Sequence, residues 1–164
     1  MKKAVYTGSF DPITLGHLDV ICRSSRLVQS LIVGIGVNTE KQGMFTIDER
    51  IELVERCTAE LNNVTVRAFE GLAVDFVNAC GARVMIRGIR PLTDIAAEIT
   101  MTMANRQLDQ HLETVFLVAD SRYAHVSSSL IKQIAPLAED EQLARFIPQS
   151  IIPDLRRKMS SHRK

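Results

Sequence analysis

The sequence predicts an α/β fold: a doubly wound, five-stranded parallel sheet with helices on both faces. Two patterns and one argument from size carry that prediction. Short β-branched runs occupy residues 4–7, 31–37, 64–69, 83–86 and 115–118. Longer segments of helical spacing lie between them, at residues 16–27, 47–60, 72–80 and 94–112. Strand–helix alternation of this kind means right-handed crossovers, and so strands that run parallel. The chain has 164 residues, 46% of them apolar, enough to cover a sheet on both sides and too apolar for a disordered chain.

Each element follows from its neighbours. The first run leads into Gly8-Ser9-Phe10-Asp11-Pro12 and then into the segment at 16–27. The second, at 31–37, is the longest strongly apolar stretch and is far too short to cross a bilayer. Thr46 and Glu49 form a capping box that opens the helix at residue 47, with Ile47, Ile51, Val54 and Thr58 as its buried stripe. The third and fourth runs enclose the helix at 72–80, and the fourth and fifth enclose the one at 94–112. A further helix is expected at residues 127–135. Pro148 and Pro153 punctuate the tail, which ends in Arg156-Arg157-Lys158 and His162-Arg163-Lys164. No repeat, low-complexity stretch or linker interrupts this order, so residues 1–164 read as a single domain, Rossmann-like in outline.

Composition narrows the function. Twenty basic residues stand against 19 acidic ones, a balance unsuited to a protein that coats nucleic acid. Cys22, Cys57 and Cys80 are odd in number, widely spaced and without a C-x-x-C pair, which argues against a disulfide framework or a zinc site. After Met1-Lys2-Lys3 the chain already reaches Thr7, Gly8, Ser9 and Asp11, too soon for a hydrophobic signal region. A soluble, cytoplasmic protein with reduced thiols is expected, with neither nucleic acid nor membrane as partner.

The unusual residues fall where such a sheet binds ligands, beyond the carboxyl ends of its strands. Gly8-Ser9-Phe10-Asp11-Pro12 follows the first strand, Asn38-Thr39-Glu40-Lys41 the second and Glu70-Gly71 the third. Arg87-Gly88-Ile89-Arg90 follows the fourth, and Asp120-Ser121-Arg122-Tyr123-Ala124-His125 the fifth. Gly8 permits backbone conformations that a Cβ would block, and Gly16 allows a ligand close to the next helix start. Thr14 and His17 are three apart, so around that first turn both can face one phosphate; the alternative is that Thr14 merely caps the helix and His17 is solvated. Arg87 and Arg90 suit phosphate oxygens, and equally suit surface salt bridges to Asp94 or Glu98. Ser127, Ser128 and Ser129 supply more donors at a helix start than one cap requires, with Lys132 about one turn beyond.

Taken together, Y-T-G-S-F-D-P-I-T-L-G-H, K-Q-G-M-F-T, I-R-G-I-R and V-S-S-S-L-I-K resemble the bacterial phosphopantetheine adenylyltransferase family, within the nucleotidyltransferases that carry H-x-G-H or T-x-G-H. The resemblance covers nearly the whole chain in order. It implies reversible transfer of the adenylyl group of ATP to phosphopantetheine, giving dephospho-coenzyme A and pyrophosphate. By position it makes His17 the transition-state stabiliser and Ser9 a contact of both substrates. Lys41, Ala73 and Arg87 match acceptor-binding positions. Phe10, Gly88, Ile89, Arg90, Glu98, Tyr123, Ala124, His125, Val126, Ser127, Ser128 and Ser129 match those around ATP. A magnesium ion and a homohexamer come from the resemblance as well. Thr7, Gly43, Ala73 and Ile95-Ala96-Ala97 depart from the family's usual residues. The rivals are a nucleotidyltransferase making NAD-type dinucleotides or a cytidylyl lipid precursor, and a nucleotide sensor that binds ATP without turnover. An acceptor phosphate with a second pKa of about 6 needs no general base, which points to direct in-line attack without a covalent intermediate.

Overall fold

The computed structural model describes residues 2–37, 43–90 and 94–161. Five parallel strands form one sheet: β1 (Lys3–Gly8), β2 (Ser30–Gly36), β3 (Val64–Phe69), β4 (Val84–Ile89) and β5 (Glu113–Val118), in the order β3-β2-β1-β4-β5. The helices are α1 (Leu15–Ser25), α2 (Ile47–Thr58), α3 (Ala73–Ala79), α4 (Ile95–Leu108), α5 (Ser128–Ile134), α6 (Asp140–Leu143) and α7 (Ile152–Ser161), with a 3-10 turn at Gln149–Ile151. The doubly wound parallel sheet expected from the alternation is therefore present.

Side-chain alternation along the strands divides the core in two. Ala4 and Tyr6 of β1, with Leu31, Val33 and Ile35 of β2 and Ile86 of β4, pack against Val20 and Ile21 of α1, Leu53 and Val54 of α2, Ile131 of α5 and Leu155 of α7. Val5, Ile32 and Met85 point to the opposite face, onto Val74 and Val77 of α3. Gly34 serves that second layer: a Cβ there would stand 2.5 Å from the Phe76 ring, which stacks on Phe69 at 4.4 Å.

Strand order reverses between β1 and β4. β1 pairs with β2 over six residue pairs, from Lys3↔Ser30 to Gly8↔Ile35. It pairs with β4 only through Val5↔Met85 and Tyr6↔Ile86. Past Tyr6 the two central strands no longer pair, and that parting makes the crevice.

Several boundaries differ from the sequence expectation. β4 continues to Ile89, so Arg87, Gly88 and Ile89 belong to the strand and only Arg90 follows it. Residues 87–89 stay extended because they pair with Phe116, Leu117 and Val118 of β5. α4 stops at Leu108, since Asp109 takes extended backbone (φ −143°, ψ 107°), and its carboxylate accepts from the His111 N–H. Pro153 lies in the first turn of α7 rather than breaking the tail, where a missing N–H costs no helical bond.

Candidate active site

A cavity of about 360 Å³ opens at the parting of β1 and β4. Tyr6, Thr7 and Gly8 end β1 at its floor, Ser9 follows, and Thr14, Gly16, His17 and Val20 present the start of α1. Arg87, Gly88 and Arg90 form the second side, backed by Asp94, Ala97 and Glu98. Ala119, Tyr123, Val126 and the three serines close the third.

His17 owes its state to the helix it begins. Thr14 is the N-cap of α1, and its Oγ1 accepts from the His17 N–H at 3.3 Å. In return the Thr14 backbone N–H donates to His17 Nδ1 at 3.2 Å, a capping box with histidine where glutamate or glutamine is usual. Nδ1 therefore carries a lone pair, and the neutral ring holds its proton on Nε2. Burial, then the charges of Arg90 and Arg87, push the His17 pKa down to about 4. At neutral pH the imidazole is an uncharged donor. The sequence offered capping and phosphate binding as alternatives; capping is present, and it is what orients the ring.

Phe10 lies beneath. Its ring is fully buried, edge-on to Tyr6 (5.4 Å) and to His17 (5.0 Å), so it supports His17 rather than walling the cavity. Phe10 also has φ 46°, the one positive value among the described non-glycine residues. This revises the account of Gly8, whose φ is not positive. A Cβ on Gly8 would stand 3.0 Å from the Phe10 ring, so glycine makes room for the aromatic support.

Both arginines are ion-paired, with the partners that local sequence suggested, and both still line the cavity. Arg87 forks onto Glu98 (Nε 2.7 Å, Nη2 2.5 Å) and donates from Nη1 to the Thr7 carbonyl at 2.7 Å, where the β1–β4 ladder has ended. Arg90 forks onto Asp94 at 2.6 and 2.8 Å. The serines divide three ways. Ser127 caps α5 by accepting from the Leu130 N–H, Ser128 donates to the Pro12 carbonyl at 2.8 Å, and Ser129 has no partner among the described residues.

Asp11 ties this loop to the rest. Its buried carboxylate accepts from the backbone N–H groups of Met44 and Phe45, each at 2.9 Å, and from Lys132 Nζ at 2.5 Å, with Arg50 Nε 3.3 Å away. Burial works to raise its pKa, but Lys132, the two N–H groups and Arg50 outweigh burial and hold it below the usual carboxylate value. Gly43 leaves space for Arg50, since a Cβ would fall 1.7 Å from its Nη2.

Of the residues the sequence pointed to, Ser9, His17, Arg87, Gly88, Arg90, Glu98, Tyr123, Val126, Ser127, Ser128 and Ser129 meet in one cavity. Ile89, Ala124, His125 and Ala73 are not among its walls. His125 instead packs edge-on against Phe146 at 5.9 Å, and Ala73 opens α3 beyond β3. Lys41 lies outside the described residues. Sequence reasoning gave no site role to Tyr6, Thr7, Val20, Ala97 or Ala119, although Thr7 and Ala97 stood out as departures from the family's usual residues. Two had a usable signal: Tyr6 shares a strand face with Gly8, and Val20 shares a helix face with His17. Among the described residues no group of three or more His, Cys, Asp or Glu side chains could hold a metal ion.

Residues 5–134 match the cytidylyltransferase-like family. The fold is shared with the nicotinic acid mononucleotide adenylyltransferase of Plasmodium falciparum solved with NaAD (TM-score 0.70, 15% identity, 93% of this chain and 94% of that one). It is shared also with a bifunctional NMN adenylyltransferase/ADP ribose pyrophosphatase from Francisella tularensis (TM-score 0.68, 11% identity, 93% of this chain and 49% of that one). Sequence similarity is much greater to two phosphopantetheine adenylyltransferases. The Clostridium perfringens protein is 45% identical over 99% of this chain and 98% of its own length. The Rhodopirellula baltica protein is 63% identical over 96% of this chain and 89% of its own length, and at that level the chain belongs to the phosphopantetheine adenylyltransferase family.

Proposed function

We propose that this protein transfers the adenylyl group of ATP to phosphopantetheine, reversibly, releasing pyrophosphate and dephospho-coenzyme A. The observation that carries the chemistry is the neutral His17, fixed by its own helix cap with Nε2–H as the free donor, in a cavity it shares with Arg87 and Arg90.

The acceptor's phosphate is already largely ionised near neutrality, since its second pKa is about 6, so no general base is required. One of its oxygens forms the new bond to the α-phosphorus, and the bond from that phosphorus to the β-phosphate oxygen breaks in line. The electron pair leaves with pyrophosphate. Catalysis is then positioning and charge stabilisation. Arg87, with Lys41, holds the acceptor phosphate; Arg90 and Ser129 hold the triphosphate; Ser9 sits between the two. His17 Nε2–H donates to charge that builds on the transferring group, a place where a preorganised donor is worth most.

Magnesium fits as an ion borne on the triphosphate. The nearby carboxylates of Asp94 and Glu98 are engaged by arginines, and this ion commonly takes most of its ligands from phosphates and water. When bound it would neutralise phosphate charge. Assembly as a homohexamer belongs to the same reading, supported by the apolar residues that α4 leaves exposed, Ile95, Ile99, Met101 and Met103. So does a cytoplasmic location, supported by three free cysteines and by the absence, among the described residues, of a helix long and apolar enough to cross a membrane.

Pyrophosphate release from ATP, measured with phosphopantetheine and with nicotinamide mononucleotide, tests the assignment. Strong preference for phosphopantetheine is expected. Preference for the mononucleotide would overturn it.

A further inference from the structure

Tyr6 takes no part in the chemistry described above, yet it lines the same cavity. The side chain is 5% exposed, and its ring is fixed edge-on against Phe10. Its hydroxyl lies 3.5 Å from the point a Cβ on Gly88 would occupy, so it stands over Gly88 of β4, in the cavity that Arg87 and Arg90 also line. No described residue exchanges a hydrogen bond with it. Nor is it sealed in: Ser24 Oγ is the one side-chain polar atom both fully enclosed and unpartnered among the described residues. The phenol therefore opens on the cavity.

A hydroxyl that meets no protein partner yet opens on a cavity is left to bond what enters it. The charged groups facing it are Arg87, Arg90 and Glu98. The arginines are donors only, and both Glu98 oxygens are held by Arg87. What the phenol lacks among the described residues is an acceptor, and the two arginines of the same cavity favour an anionic one. We propose that Tyr6 is a substrate-contacting residue whose O–H donates to a phosphate oxygen of a bound substrate, alongside Arg87 and Arg90. Burial lifts the phenol's pKa well above its ordinary value against the opposing charge of Arg87, so it stays a protonated donor across the neutral range.

The inference rests on the proposed reaction, in which both substrates carry phosphates. The test is Tyr6→Phe, which keeps the ring and its contact with Phe10. ATP, phosphopantetheine and dephosphorylated pantetheine are titrated calorimetrically into wild type and variant, and thermal unfolding is recorded. Loss of a hydrogen bond to a charged acceptor weakens binding on the order of 10-fold to 100-fold. A loss confined to phosphopantetheine, with pantetheine unchanged, assigns the contact to the acceptor phosphate. A loss confined to ATP assigns it to the nucleotide. Binding of both within twofold of wild type would overturn the inference. So would equal weakening of all three ligands with a lowered unfolding temperature, which would make Tyr6 a structural residue. Failure of the assigned reaction is separate: it would be seen in wild type, as no pyrophosphate release with phosphopantetheine.

Discussion

Replacing Asp11 with asparagine tests whether the first loop is held by charge or by shape. Oδ1 of Asp11 accepts the Phe45 N–H with Arg50 beside it, and Oδ2 accepts the Met44 N–H and Lys132. Asparagine keeps one acceptor and turns the other into a donor. With its oxygen at the first position, the amide N–H groups oppose Met44 and Lys132; flipped, they oppose Phe45 and Arg50. Either way one buried backbone donor is stranded, at a cost of about 1–3 kcal/mol. The stranded cations add less than the 3–5 kcal/mol typical of an uncompensated buried charge. Lys132 is 37% exposed and can turn to water, while Arg50, at 9%, keeps the Phe45 carbonyl at 2.9 Å. The expected loss is about 2–4 kcal/mol in urea unfolding at pH 7. The pH dependence has a definite sign. A carboxyl held below its unfolded pKa gives stability that is present above the unfolded value and lost as pH falls through the folded one, so Asp11→Asn flattens that acid limb. A loss below about 1 kcal/mol would refute the reasoning. Adding Lys132→Met separates the parts: recovery marks the stranded ammonium as dominant, and no recovery marks the backbone donors.

Three further perturbations follow. His17→Ala should leave ATP affinity within a small factor and lower kcat by on the order of 10²–10³ in pyrophosphate release, with near-wild-type turnover counting against its role. Because the His17 pKa is depressed from 6.5 to about 4, wild type should lose up to about 3 kcal/mol of stability between those pH values, where the unfolded chain takes a proton the folded chain refuses, and His17→Ala should lack that slope in unfolding measured against pH. Gly88→Ala places a Cβ 2.9 Å from Val20 Cγ2 on a stiff β-branched side chain, so it should cost about 1–3 kcal/mol in denaturant unfolding; a neutral effect would mean that α1 yields freely. Among the described residues Cys22, Cys57 and Cys80 have no base or metal partner, so a folded triple serine variant should still release pyrophosphate, though buried Cys80 makes it less stable.

Much of the architecture was legible because its signals are local. Alternation of β-branched runs with helical spacing gave five strands in parallel, and Thr46 with Glu49 gave the start of α2, whose capping box is present. The end of β4 was misplaced for a physical reason. Arg87 and Gly88 look like a loop by residue type, but pairing with Phe116 and Leu117 of β5 keeps them extended, and pairing partners 29 residues away leave no mark on the local sequence. The same holds within the site. Motif positions found His17 and the arginines, while the meaning of Gly8 depended on where the Phe10 ring turns. The hydroxyl of Tyr6 became visible only once the register Tyr6↔Ile86 set it beside β4.

The ion pairs change what the arginines can do for a phosphate. Two guanidinium charges face two carboxylates, so the described part of the cavity carries no net charge from these four groups. A guanidinium has five N–H donors. Arg87 uses two on Glu98 and its Nη1 on the Thr7 carbonyl and hydroxyl, leaving at least one N–H for a ligand without breaking the pair. Arg90 uses two on Asp94, with the Val126 carbonyl 3.4 Å from its Nη1. In the proposed reaction the carboxylates would then hold each fork, rather than act as rivals that a phosphate must displace. Attraction by oriented donors instead of bare charge falls off steeply with misplacement. In the proposed reaction it would favour a phosphate at one position over phosphate anywhere in the crevice.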